Sequence, residues 1–412
     1  MNLIKSTGTF SFFTIISRIL GYVRDILIAM FLGAGPLADA FFVAFRIPNT
    51  FRRLFSEGAF NAAFVPSYAS ELANGEKEAE KFATNIFSFL ILFLFFLVLI
   101  IEIFMPVFVF IIAPGFSGNE DKMQLVISLT RITFPFLLFI SLASFFSAIL
   151  NSHNRFAVAA ASPIILNIFL ITILFFGKLL GDKIVYYLSY AVTAAGIAQF
   201  LFLYYYVRKF YLPKFSFKIS ISEKIRVFFS KLLPSVFSSG VTQINILVGT
   251  VIASFQASAI SYLYYADRIY QIVLAIAGIA IGTVLLPQLS KLIQLEDKIA
   301  INEIQNKGLE FSLLLSIPAS VAIFVASTEI ISSLFGYGSF SEISVQKSAL
   351  ALFYFAFGLP AFSLIKIFSS FFFARHNTKI PFYISLFSVL LNIIISVSFF
   401  NKIGFIIIPI AT

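Results

Sequence analysis

At 412 residues, 60% apolar and only 12% charged, the chain carries about half the charged residues of an ordinary globular protein. Its 56 phenylalanines fall in helix-length blocks and not in ten-residue alternations, which excludes a β-barrel. The absence of cysteine excludes disulfides, thiol catalysis and thiolate metal sites.

Apolar runs of helix length separated by short polar breaks predict an all-α, polytopic membrane protein. Spans are expected at roughly 7–32, 36–68 (long and broken), 84–112, 125–150, 158–177, 184–207, 227–253, 260–289, 307–328, 345–373, 381–400 and from 403 onward. Met1 to Lys5 is too short for the charged region of a cleavable signal, so the first segment reads as a retained span. With the N-terminus inside, fifteen loop cations, among them Arg155, Arg208, Lys209, Lys214 and Lys224, face the cytoplasm, against five outside. The net charge of +10 is therefore an orientation signal and not a nucleic-acid footprint. The last residues, "GFIIIPIAT", open a span that stops after about nine residues, about 14 Å of helix, and read as an incomplete span.

The basic link at 208–226 divides the chain into bundles at 1–207 and 227–412, each of about six spans. The two halves resemble one another. "ADAFFVAFRIPN" answers "ISYLYYADRIYQ", placing Arg46 opposite Arg268, and Pro66, Asn154 and Asn167 answer Pro287, Asn377 and Asn392 at nearly the same offset. Six spans per repeat predict a pseudo-two-fold axis along the membrane normal and a central cationic cavity.

The first seventy residues carry charge at depth, where each charge costs about 2.5–3.5 kcal/mol or more. Arg18 and Arg24 lie six residues apart, some 120° and about 9 Å from one another on a helix, and Ser17 widens the polar sector. Arginine suits a diphosphate because its planar fork bonds two oxygens and stays charged. Asp25 follows Arg24 but is expected on another face. "GAGPLADAF" makes a tight turn at Gly33 and Gly35 and starts the next helix at Asp39, which either caps that helix or closes a gate by pairing with a cavity arginine. Pro48 breaks the second span, followed by Arg52, Arg53 and Glu57. Arg268 supplies a cation from the second half, with Asp267 as its neutralising neighbour. Structural readings stand beside these: internal ion pairs or snorkelling for Arg18 and Arg24, and a re-entrant segment after Pro48. No nucleotide-binding, zinc-protease or C-x-x-C motif is present, His153 and His376 lack partners for a metal site, and an enzyme is disfavoured.

"SRILGYVRD", "GAGPLADAFFVAFRIPNTFRRLFSEGAFNAAFVP", "APGF", "SLASFFSAILNSHNRF" and "YYADRI" together resemble the MurJ (MviN) family of bacterial lipid II flippases, within the multidrug/oligosaccharidyl-lipid/polysaccharide exporter superfamily. The resemblance runs over essentially the whole chain. It implies that Arg18, Arg24, Arg52 and Arg268 line a central cavity, that Asp39 is needed, and that Asp25 and Glu57 act near a portal or gate. It also implies a substrate, undecaprenyl-diphosphate-linked disaccharide-pentapeptide, flipped to the outer leaflet of the cytoplasmic membrane by alternating access, with cell-wall synthesis and division proteins as further partners. The family has fourteen spans and this chain stops in about the twelfth. Some members bind sodium through acids that the seventh span here lacks, so drive by membrane potential is the expectation over sodium coupling. No cofactor is implied, and a monomer is expected. The rival readings are an exporter of another lipid-linked oligosaccharide or amphiphile and a non-transporting cell-wall scaffold.

Overall fold

The computed structural model describes residues 3–53, 59–217, 223–375 and 377–412. Among these residues every regular element is a helix. The order is α1 (Leu3–Leu32), α2 (Pro36–Arg52), α3 (Ala59–Asn74), α4 (Glu76–Ile103), α5 (Met105–Ile112), α6 (Glu120–Thr133), α7 (Phe136–Ser152), α8 (Phe156–Phe175), α9 (Gly177–Leu180), α10 (Ile184–Val207) and α11 (Glu223–Ala253). It continues with α12 (Ala259–Leu274), a π-helical turn (Ala275–Ala280), α13 (Ile281–Gln294), α14 (Lys298–Phe335), α15 (Glu342–Ala374), α16 (Lys379–Ile403) and α17 (Ile407–Ala411). Among the described residues, eight stretches are long and apolar enough to cross a membrane: 76–103, 120–152, 156–175, 177–207, 259–294, 298–335, 342–374 and 379–411.

Three expected spans are interrupted. The run at 84–112 begins earlier, at Glu76, and breaks at Phe104, immediately before Met105 and Pro106 open α5. Proline removes a backbone donor and ends the preceding helix. Pro135 similarly separates α6 from α7. The run at 260–289 contains the π turn, where Gly278 and Gly282 lie against the backbone of α15. Ser312 Oγ donates to the Ala277 carbonyl at 2.9 Å and Ser370 Oγ to the Gly282 carbonyl at 3.2 Å. These hydroxyls satisfy carbonyls where the regular ladder changes register.

The chain forms two compact units, one of Met1–Phe31 with Pro36–Gln243, the other of Leu32–Gly35 with Ile244–Thr412. In the first unit, α10 packs along α7 and α8, and α2 along α6. Its core is aromatic. Phe64 stacks on Phe60 and Tyr68 and meets Phe145 edge-on at 5.0 Å. Phe228, from the start of α11, enters the same cluster against Phe60, Phe64 and Phe82. Lys224 reinforces that attachment through Glu71 (2.5 Å) and Glu78 (3.2 Å). Those hydrogen bonds raise the lysine's affinity for its proton. The first two thirds of α11, as far as Gln243, belong to the first unit.

In the second unit α14 and α15 run side by side, and α12 and α13 pack on α15. Leu285, Leu289, Ile367, Phe371 and Ala374 form a buried cluster. The residues expected to open a final span form a 3₁₀ turn and α17, with Phe405–Ile408 buried. The Phe405 N–H donates to Gln256 Oε1 at 2.7 Å.

The turn of Leu32–Gly35 shows why a glycine is required there. Gly33 has φ +65°, its carbonyl accepts from Tyr265 Oη at 3.0 Å, and a Cβ would collide with the Ser339 carbonyl. Gly33→Ala should lose more than about 1 kcal/mol. Gly8→Ala, in α1 with nothing within 4 Å, should be neutral or slightly stabilising. Thermal unfolding of the two variants in detergent reads the contrast. Equal melting temperatures would refute the close approach at Gly33.

Candidate functional site

Arg24 is buried in the first unit, 7% exposed, with Asp25 at 2%. Its Nε and Nη2 donate to Asp25 Oδ1 at 3.0 and 2.7 Å, and its Nη1 to Asn167 Oδ1 at 2.9 Å. Asn167 Nδ2 donates in turn to the Ser17 carbonyl at 3.0 Å. The amide packs against Gly21, where a Cβ would make ordinary contact at 3.7 Å from Asn167 Nδ2. The amide of α8 thus ties α1 at Ser17 and orients the guanidinium of Arg24 at one level of the helix. The expectation that Asp25 lies on a different face from Arg24 is corrected. Neighbouring Cβ atoms do diverge by about 100°, but the long arginine side chain curls around the helix to its neighbour. Arg18 is exposed, and Ser17 is half-buried and meets Asn167 through its backbone carbonyl.

Asp39 is completely buried in the first turn of α2, where a carboxylate complements the helix dipole. Lys122 of α6 pairs with it, Nζ to Oδ2 at 2.9 Å. Lys122 Nζ also sits 3.8 Å from the centre of the Phe116 ring, a cation–π contact that strengthens on desolvation. Asn119 caps α6 through the Lys122 N–H at 2.9 Å, which fixes the start of the helix that carries the ammonium.

In the second unit Arg268 is half-buried, its Nη2 donating to Tyr264 Oη at 2.9 Å with the guanidinium 4.6 Å from that ring's centre. Asp267 accepts from Gln271 Nε2 one turn on. Tyr264 therefore presents Arg268 with a flat face and a hydroxyl. Arg52 ends α2, with its side chain outside the described residues, as is all of Glu57.

Reading the sequence left out several groups. Asn167 was visible only as a repeat landmark answering Asn392, and Lys122 only as a loop charge. Lys366, midway along α15, lies against the π turn, with Cγ 3.4 Å from the position of a Gly278 Cβ. Glu102 of α4 has a buried Oε1 that meets no hydrogen-bond partner among the described residues, and lies close enough to Arg131 of α6 to feel its charge. For Lys366 and Glu102 a single ionisable residue inside an expected span was the available signal.

The profile of the family described as Lipid II flippase MurJ matches residues 28–412. A probable lipid II flippase MurJ of Rhizobium tropici is 39% identical, covering 97% of this chain and 76% of the relative. A probable lipid II flippase MurJ of Rickettsia prowazekii is 38% identical over 95% of this chain and 77% of its own length. A solved structure of a lipid II flippase MurJ in an inward closed conformation superposes with a TM-score of 0.86 at 29% identity, covering 98% of this chain and 84% of that one. A multidrug resistance MATE family transporter in an inward-facing conformation shares the fold alone, with a TM-score of 0.75 at 13% identity over 96% of this chain and 90% of that one.

Proposed function

The chain belongs to the lipid II flippase MurJ family, and we propose that it turns lipid II over by alternating access, with Arg18, Arg24, Arg52 and Arg268 receiving the diphosphate. It is a multi-pass membrane transporter and not an enzyme. The observation that carries the residue assignment is the buried, pre-oriented Arg24. A guanidinium desolvated to this extent and held on two sides by Asp25 and Asn167 meets an incoming phosphate without first losing side-chain freedom. Ser17 completes the polar sector of α1. Asp25, Asp39 and Glu57 serve the protein's own rearrangement, the first two by holding a cation within the first unit. The repeat near an offset of 222 residues supports two related bundles, and the loop-charge bias supports a cytoplasmic N-terminus. Drive by membrane potential is adequate, at about 2.3 kcal/mol per charge per 100 mV. The seventh span supplies no carboxylate for sodium. The protein acts as a monomer in the bacterial cytoplasmic membrane, alongside the cell-wall synthesis and division machinery.

Depletion in cells, followed by an assay of which leaflet holds lipid II, tests the transport reading. Accumulation on the cytoplasmic side is expected, and unchanged distribution would overturn it. At residue level, Arg268→Ala should lower translocation at least tenfold, and Arg268→Lys should recover part of it. Lysine keeps the charge but not the fork that stacks on Tyr264. Melting temperatures measured alongside should stay close to that of the parent, because Arg268 is only half-buried. Full translocation by the alanine variant would remove Arg268 from the site.

A further inference from the structure

After α10 the chain continues as a non-helical strap whose two sides differ. On one side Tyr211 is 2% exposed, packed between Phe87 and Phe145 and hydrogen-bonded to Thr84 at 3.3 Å. Burial pushes its phenol up to about 12, so it stays neutral. The Ser216 N–H donates to Ser88 Oγ at 3.0 Å, and Lys214 pairs with Glu80 at 2.7 Å. On the other side Leu212, Phe215 and Phe217 are 58%, 42% and 82% exposed. A backbone without helical pairing cannot lie in hydrocarbon, where its N–H and C=O groups would find no partners. Three large apolar side chains turned outward from such a strap fit the boundary between headgroups and acyl chains.

The charges around it agree with that depth. Arg208 lies over the Tyr205 ring at 4.4 Å and Arg155 over the Phe210 ring at 5.8 Å, and Lys209, next to Arg208, is exposed. Among the described residues none of these three makes an ion pair. The acids nearby at the start of α4 are largely engaged: Glu80 by Lys214, and Glu78, with Glu71, by Lys224. His153 stacks on Phe210 at 4.4 Å, and burial holds its imidazole below the ordinary range against the opposing pull of Glu76.

We propose that the strap is an interfacial anchor for anionic phospholipid, with Arg155, Arg208 and Lys209 on the headgroup phosphates and Leu212, Phe215 and Phe217 in the acyl boundary. The assignment stands apart from lipid II transport and from the direction in which the chain is inserted.

The chain has no tryptophan, so Phe217→Trp gives a sole fluorophore at an exposed site. The full chain is placed in bilayers of phosphatidylcholine and phosphatidylglycerol, with one or the other brominated on its acyl chains. Quenching by both lipids is expected, with a preference for phosphatidylglycerol. Adding Arg208→Gln or Lys209→Gln should reduce that preference about fivefold each, corresponding to about 1 kcal/mol per basic residue near the surface. Quenching by brominated phosphatidylcholine should be retained, which shows that the strap is still in place. A tryptophan unquenched by either lipid, as under a protein partner or in open water, would overturn the proposal. Equal quenching by the two lipids, or loss of the preference when inorganic phosphate is added, would overturn the anionic headgroup site.

Discussion

Replacing Arg24 with alanine is expected to abolish lipid II translocation and to destabilise the first unit by about 3–5 kcal/mol, the cost of leaving one member of a buried ion pair uncompensated. Asp25 is 2% exposed and would lose the guanidinium of Arg24, while Asn167 Oδ1 would lose a charged donor. Loss of transport in this variant alone would not separate a binding role from a structural one. The double variant Arg24→Ala, Asp25→Asn does, because it removes the stranded charge along with the cation. It should regain most of the melting temperature in detergent and still fail to move lipid II between leaflets. Recovery of transport with stability would make Arg24 a structural residue and would end its assignment to the headgroup. Arg24→Lys adds a second reading. It keeps a charge near Asp25 but cannot engage Asp25 and Asn167 together through a rigid fork, so an intermediate rate is expected.

That pair also marks how far the sequence alone could be read. The apolar blocks located the helices, since helix length and hydropathy are local properties. Pro106 and Pro135 explain two breaks in physical terms available from sequence. The π turn at Ala275–Ala280 was not legible in the same way. "AIAGIA" carries only one glycine as punctuation, and the register change is stabilised from outside by Ser312 and Ser370 on other helices. Helices α4 and α14 also begin before the expected spans because hydropathy marks the hydrocarbon region, while Glu76 and Lys298 continue the same helices beyond it.

Side-chain partners were the least legible part. Helical-wheel geometry places Cβ atoms, and for aspartate it nearly places the carboxylate. For arginine it does not, because several freely rotating bonds separate Cβ from the guanidinium. Arg24 was therefore recognised as a cation at depth while its bond to Asp25 was missed. Asn167 was noticed through the repeat, yet nothing in the sequence indicates that its amide spans from Arg24 to the Ser17 carbonyl. Lys122 was missed for a related reason. A lysine at the start of a helix reads as a loop charge, although its four-carbon stem can carry the ammonium over Phe116 to Asp39.

The pair of Asp39 and Lys122 yields the second large effect. Either single replacement, Asp39→Asn or Lys122→Met, should cost about 3–5 kcal/mol by breaking a buried pair. The two are not equivalent. Lys122→Met leaves Asp39 in the first turn of α2, where the helix dipole still returns about 0.3–1 kcal/mol. Asp39→Asn leaves the ammonium facing the positive end of that helix and should be the more damaging. The double variant removes both charges and places an apolar side chain against Phe116, so its stability should return close to that of the parent. A double-mutant cycle on unfolding free energies then gives the coupling between the two sites, expected to be at least about 2 kcal/mol. Transport decides what the pair is for. Because both partners belong to the first unit, the pair joins α2 to α6 within one unit, and the double variant should recover translocation to within about tenfold of the parent. A double variant that melts like the parent and moves no lipid II would assign the Asp39 carboxylate a part in the transport cycle beyond this tie.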